Sequence, residues 1–204
     1  MPELPEVETV RRGLSELIIG KVVALVSHDT PKSFPNAKQE VESFLISATI
    51  SDIRRRAKVL IIDLSNDYSL LIHLKMTGQL VYVGDVRFGA GHPNDSLVHT
   101  LPDKSTRVSF TFEDGSQLFF NDQRKFGWVR LMPRIEIPNI DFMKKVGPEP
   151  LEAGFSAAEF ASRFARRAKT TIKAAILDQS VVAGVGNIYA DESLWGAKIH
   201  PQRL

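Results

Sequence analysis

The feature that most limits the fold of this chain is a change of hydrophobic period partway along it. Between residues 21 and 132 the apolar residues come in short runs with strand spacing. Val108, Phe110 and Phe112 alternate with polar residues, and Asp114-Gly115 then turns the chain into residues 117–121. Residues 59–64 and 68–74 flank Ser65-Asn66-Asp67, a hairpin turn signal, and residues 21–28 form a valine-rich run. Many short strands joined by turns predict an antiparallel sandwich or barrel. The polar, turn-rich stretch 84–104 reads as a long loop.

Helical spacing holds on either side of this block. A first helix is predicted to start at Pro5, a residue favoured at the first helical position, with Glu6 and Glu8 at its positive end. Val7, Val10, Leu14 and Leu17 give it one apolar face, and residues 37–46 predict a second short helix. Pro133, Pro138, Pro148 and Pro150 mark a linker. Beyond it Ser156 and Glu159 have the spacing of a capping box, residues 170–177 read as a helix, and residues 187–195 read as another. The expected domains are 1–133, a linker at 134–150, and 151–204. The chain stops after His200-Pro201-Gln202-Arg203-Leu204, so the helical part reads as unfinished.

Composition excludes several classes. The 204 residues are 43% hydrophobic and 25% charged, ordinary for a globular protein. No apolar run reaches the ~20 residues of a membrane helix, and the start Met-Pro-Glu-Leu-Pro-Glu is no secretory signal. With no cysteine there is neither a disulfide nor a thiolate zinc site, and a cytoplasmic protein is expected. The formal net charge of +2 is uninformative, but its distribution is not. Arg54, Arg55, Arg56 and Lys58 form one basic cluster; Arg163, Arg166, Arg167, Lys169 and Lys173 form another with no acid inside it. Each fits a solvated face; two together point to a surface that tracks phosphates.

Pro2 offers chemistry. Removal of Met1 leaves a secondary amine, and an α-amine has a pKa of about 8, so part of it is neutral at physiological pH. A helix N-terminus nearby favours the neutral form further. Such an amine can attack a sugar carbon and form an iminium, an electron sink that eases elimination of the neighbouring phosphate. Glu3 stands beside it, able to move protons to the sugar oxygen. Taken alone, Pro2 and Glu3 suit a frayed chain start better than a catalytic one.

Five ordered motifs decide between those readings. Met1-Pro2-Glu3-Leu4-Pro5-Glu6-Val7-Glu8-Thr9 resembles the opening signature of formamidopyrimidine-DNA glycosylases. Arg55-Arg56-Ala57-Lys58 looks like the family's basic strand entry, and His73-Leu74-Lys75-Met76-Thr77-Gly78 looks like its intercalating loop. Asn121-Asp122-Gln123-Arg124-Lys125-Phe126-Gly127 is similar to its second wedge. The stretch from Asp178 to Ala190, through Gly184-Val185-Gly186-Asn187, resembles its helix-two-turn-helix element. Leu4, where the related endonuclease VIII branch usually has glycine, favours the 8-oxoguanine branch.

The resemblance implies an α+β protein: an N-terminal antiparallel β-sandwich with flanking helices, then an incomplete helix-two-turn-helix domain, with DNA in the groove between them. It implies base excision repair. Oxidised purines would be removed through a Schiff base on Pro2, and the strand then cleaved by β,δ-elimination. Glu3 would be the acid/base and Lys58 an active-site lysine near the lesion and its phosphate. Glu6 is assigned to the damaged base. Met76, Arg124 and Phe126 fill the hole left by the flipped nucleotide, which costs a few kcal/mol to extrude. His73 is expected on phosphate. Gly186 and Asn187, with Lys169 and Lys173, form a phosphate clamp at a helix start. The expected partner is double-stranded DNA with oxidised bases or abasic sites, bound by a monomer in the bacterial cytoplasm, nucleoid-associated through that DNA and without membrane contact. The family's four-cysteine zinc finger is absent from this chain, so no cofactor is expected. Two alternatives remain open: a DNA-binding module without excision, and an oxidised-pyrimidine specificity.

Overall fold

The computed structural model describes residues 1–204. By internal contacts the chain divides into two compact units, one of residues 1–55 and 59–137, the other of residues 56–58 and 138–204.

The first unit is a β-sandwich with helices on it. Its elements are α1 (Leu4–Ile18), β1 (Val23–His28), α2 (Lys38–Phe44), β2 (Ile50–Arg56), β3 (Val59–Leu64), β4 (Tyr68–His73), β5 (Gly78–Val83), β6 (Arg87–Gly91), β7 (Thr106–Phe112), β8 (Gln117–Asp122) and β9 (Trp128–Pro133). They form a five-stranded sheet, β1-β7-β8-β5-β6, and a four-stranded sheet, β2-β3-β4-β9. The described strand pairs are antiparallel. One apolar core fills the space between the sheets, with Leu60, Ile62, Leu70 and Ile72 from one and Leu80, Phe110, Phe112 and Phe120 from the other. Helix α1 adds Val7, Val10, Leu14 and Ile18 to the same core. These positions repeat at three- and four-residue steps, as a single buried helix face requires. Leu17, expected on that face, is only partly buried; Ile18 takes the central place.

Two expectations need correction here. The helix begins at Leu4, one residue before Pro5, with Glu3 as its N-cap. Residues 84–104 are not a plain loop. They contain β6, paired with β5 from Gln79↔Gly91 to Val83↔Arg87, and a 3-10 turn at Asp95–Leu97. Gly89 and Gly91 hide this edge strand from any pattern of alternation. Packing reveals it: the Phe88 ring lies where a Cβ on Gly13 would come within 2.1 Å, so α1 and β6 fit only because residue 13 is glycine.

The second unit is helical: α3 (Asp141–Lys145), α4 (Ala157–Ala165), α5 (Ile172–Leu177) and α6 (Asn187–Ala197). The stretch read as a linker thus carries α3, after a 3-10 segment at Arg134–Asn139. Ser156 caps α4 by accepting from the Glu159 N–H at 3.1 Å. The Glu159 carboxylate turns to Arg163 at 3.1 Å, so only the Ser156 half of the expected capping box forms. Helix α5 starts at Ile172, two residues after the predicted position.

Candidate functional site

The amino terminus is tied down by its own carboxylates. The Glu3 N–H donates to Glu6 Oε2 at 2.8 Å, and the Glu3 side chain accepts from the Glu6 N–H, which makes a reciprocal capping box. Glu3 is fully buried, Pro2 is buried, and Met1 is 38% exposed above them. Three of the expected site residues, Pro2, Glu3 and Glu6, therefore meet at the positive end of α1. One turn on, Glu8 gathers Arg11 at 2.7 Å, Arg12 at 2.9 Å and Arg55 at 3.1 Å. Burial opposes its ionisation, but the three guanidinium groups outweigh it and hold the Glu8 carboxyl at about 2.

The two expected wedges share a corner of the sandwich. The β4–β5 and β8–β9 connections both pass from one sheet to the other, because β5 pairs with β8 and β4 with β9. Asp122, fully buried, locks both. It accepts from the N–H groups of Arg124 (3.1 Å), Phe126 (2.8 Å) and Gly127 (2.7 Å), and from the Thr77 hydroxyl next to Met76. Gly127 is required: a Cβ there would lie 2.6 Å from the Phe120 ring and 2.9 Å from the His73 carbonyl. Met76 and Phe126 stand out at 37% and 47% exposure, and the Arg124 guanidinium lies 4.8 Å from the Phe126 ring centroid. Each apolar tip follows a lysine in the left-handed region, Lys75 at φ 51° and Lys125 at φ 57°. His73 sits at the foot of this corner, its Nδ1 accepting from the Lys75 N–H at 3.0 Å and its ring 5.8 Å from Trp128.

Sequence reasoning missed two residues of this unit. Asp122 lay inside a quoted motif without a role. His92 lay in the supposed loop. Burial and then the positive chain terminus hold the His92 pKa below its usual value, while Asp122 opposes them. The His92 imidazole thus lies within electrostatic reach of both the amino terminus and Asp122.

In the second unit, the turn Gly184-Val185-Gly186 leads into α6, with Gly184 at φ 81° and Gly186 as N-cap. Gln179 builds this turn, accepting from the Gly184 N–H at 2.9 Å and donating to the Val185 carbonyl at 2.8 Å; it too was not foreseen. Asn187 is exposed and Gly186 buried. Lys169 is exposed, whereas Lys173 pairs with Asp191 on α6 at 2.7 Å. Lys58 is half-buried in the β2–β3 turn and groups with this unit.

The expected basic patch at 54–58 needs correction. Arg54 pairs with Asp63 at 2.6 Å, Arg55 with Glu8 at 3.1 Å and Arg56 with Glu149 at 3.0 Å. Each of its arginines is thus already engaged by an acid of the chain, 9, 47 and 93 residues away. The residues present do not fit the family's thiolate zinc site either: the chain has no cysteine, and no cluster of three or more histidines and acids could hold a metal ion. No helix is long and apolar enough to cross a membrane.

Comparison with known proteins agrees with this geometry. Residues 1–129 match the formamidopyrimidine-DNA glycosylase N-terminal domain, and residues 146–204 match the formamidopyrimidine-DNA glycosylase H2TH domain. The formamidopyrimidine-DNA glycosylase of Herpetosiphon aurantiacus is 44% identical over 205 residues, covering 100% of this chain and 69% of that protein. That of Ligilactobacillus salivarius is 42% identical, covering 99% of this chain and 68% of its own length. The Lactococcus lactis Fpg, solved in complex with DNA containing an abasic site, superposes with a TM-score of 0.84 at 34% identity, over 99% of this chain and 69% of that one. The same enzyme with DNA containing N7-benzyl-Fapy-dG gives 0.83 at 34% identity, over 99% and 70%. With both domain models matched in order and relatives above 40% identity along the whole chain, this chain belongs to the formamidopyrimidine-DNA glycosylase family.

Proposed function

We propose that this chain excises oxidised purines, 8-oxoguanine and formamidopyrimidines, from duplex DNA and then cleaves the strand at the resulting abasic site. The observation that carries the reading is the Asp122 corner, where one buried carboxylate holds two loops with exposed apolar tips. A protein that flips a nucleotide needs a rigid plug for the vacated stack, and Met76, Phe126 and Arg124 have the shape and chemistry of one. Arg124 would hydrogen-bond the orphaned base.

Once Met1 is removed, the Pro2 nitrogen would attack C1′ of the damaged nucleotide as the base departs with a proton. Ring opening, with Glu3 passing a proton to O4′, gives the iminium. Loss of a C2′ proton to a base then expels the 3′ phosphate, and a second elimination expels the 5′ phosphate. Lys58 would steady the lesion phosphate, and Glu6 would face the damaged base. His73, Lys169, Lys173, Gly186 and Asn187 would hold backbone phosphates, contacts that position DNA without reading sequence. In this scheme residues 1–133 carry the chemistry, 134–150 join, and 151–204 grip.

Borohydride trapping tests the reaction. Protein freed of Met1 should form a covalent adduct on duplex containing 8-oxoguanine, with mass spectrometry placing the sugar on Pro2. An adduct on another side chain overturns the mechanism. Salt-sensitive binding without any adduct would instead assign the chain to DNA grip alone. Faster excision of thymine glycol than of 8-oxoguanine would reverse the specificity.

A further inference from the structure

A cavity of about 550 Å³ in the helical unit is lined by six cationic side chains, Arg56, Lys144, Lys145, Arg163, Arg166 and Arg167, and by no carboxylate. Three of these are braced from behind. Arg56 reaches Glu149 at 3.0 Å and the carbonyls of Val146 and Gly147 at 3.0 and 2.8 Å. Arg163 reaches Glu159 at 3.1 Å and the Ser180 carbonyl at 3.2 Å. Arg167 reaches Asp178 at 2.9 Å and the Ser180 hydroxyl at 3.1 Å. A guanidinium has five N–H donors, so each braced arginine keeps donors for another acceptor while its orientation is already fixed. The other three, Lys144, Lys145 and Arg166, are exposed and enter no ion pair. Three uncompensated charges around one hollow repel each other, and an anion relieves that repulsion.

We propose that this cavity is a second DNA-backbone site, distinct from the Gly184–Asn187 turn, that takes consecutive phosphates of one strand. The cations come from three separate chain segments and surround the hollow. That spread suits a row of phosphates better than a single point anion. Val146 and Val181 supply an apolar wall against which a sugar can rest. The assignment rests on the DNA-binding reading given above.

Two measurements on the full chain test it. Acetylation of surface lysines, read by mass spectrometry, should show Lys144 and Lys145 protected by a duplex of about 20 base pairs, with exposed Lys38 as the unprotected reference. In a salt titration, Lys144→Ala/Lys145→Ala/Arg166→Ala should lower the slope of log K against log salt by about 2–3, at roughly 0.9 per lost phosphate contact. The three positions are exposed and their charges repel each other, so an equal or slightly higher melting temperature should accompany the change. If the unmodified chain binds no duplex even at low salt, the DNA-binding reading itself fails. If it binds, but the lysines stay reactive and the slope is unchanged, only the second site is overturned. Protection by inorganic pyrophosphate but not by duplex would also overturn it, in favour of a small polyanion.

Discussion

The sandwich and the helical unit solve the burial problem differently. The sandwich closes one core of twenty-five buried residues, nearly all of them less than 5% exposed, contributed by both sheets and by α1. The main cluster of the helical unit has only Ile176, Ala190 and Leu194 buried, with Phe160, Phe164 and Ile172 among those half-buried around them. A hollow of about 1040 Å³ lined by those same phenylalanines accompanies the looser packing. Charge is handled differently as well. In the sandwich the arginines of the 54–55 run are paired inward, whereas the helical unit keeps Lys144, Lys145, Arg166 and Lys169 in solvent. One unit is thus a stiff frame that aims a few apolar tips, and the other is a softer body that presents positive charge.

The largest effect should come from cutting into the stiff frame. Phe110, 1% exposed, lies in the middle of the sandwich core. Phe110→Ala should cost about 3–5 kcal/mol, because a close-packed core leaves a cavity where the ring was. Phe164→Ala in the helical unit should cost only about 1–2 kcal/mol, since the ring is half solvated already. Urea unfolding of both variants gives the ratio directly. Equal losses would erase the contrast between the two cores.

Next is the carboxylate that locks the wedge corner. Asp122→Asn keeps the shape but replaces one acceptor oxygen with an NH2 facing donors, so that either the Phe126 and Gly127 N–H groups or the Thr77 hydroxyl loses its acceptor. A loss of about 3 kcal/mol is expected, with a drop of tenfold or more in lesion excision. Thr77→Val removes one donor from the same carboxylate and should cost about 1–2 kcal/mol. An Asp122→Asn protein with unchanged melting temperature and excision rate would show that the wedge loops hold themselves.

These two positions also mark how far the sequence could be read. Hairpins at 59–73 and 106–122 were legible because alternation and turn residues are local signals. So was the face of α1, except where Ile18 displaced Leu17. Strand β6 was not, because Gly89 and Gly91 carry no side-chain pattern and its pairing to β5 is a tertiary fact. Arg54 and Arg55 looked like a phosphate surface because their acids, Asp63 and Glu8, stand 9 and 47 residues away. The site divides in the same way. The exposed tips Met76 and Phe126 could be picked out beside glycine and basic residues. Asp122 and Gln179 act by collecting backbone groups from neighbouring turns, and no spacing rule announces that.

A smaller effect depends on pH and tests one ion-pair cluster of the sandwich. Glu8 ionises at about 2 in the folded sandwich, against 4.5 for an unperturbed glutamate. A lowered folded-state pKa stabilises above the unfolded value, and the gain is lost as pH falls from about 4.5 through about 2. Allowing for solvent screening, the loss should be on the order of 1–2 kcal/mol. Urea midpoints at pH 5 and pH 3 should therefore differ more for the unmodified protein than for Glu8→Gln. Parallel midpoints in the two proteins would remove Glu8 from the acid response.

The smallest effect should come from the strained lysines at the wedge tips, and its sign tests whether the frame is tuned for stability or for DNA. A non-glycine residue in the left-handed region is strained by about 1–2 kcal/mol, and Lys75 and Lys125 both sit there. Glycine removes that strain but gives the unfolded chain more freedom, worth about 0.5–1 kcal/mol. Lys75→Gly and Lys125→Gly should each then gain under about 1 kcal/mol in thermal unfolding. In the proposed scheme the two tips enter the duplex, which brings the lysine beside each of them near the backbone. The same variants should therefore bind DNA more weakly at low salt and converge with the unmodified protein at high salt. A stability gain with undiminished DNA affinity would mean that the strain at these tips serves neither folding nor grip.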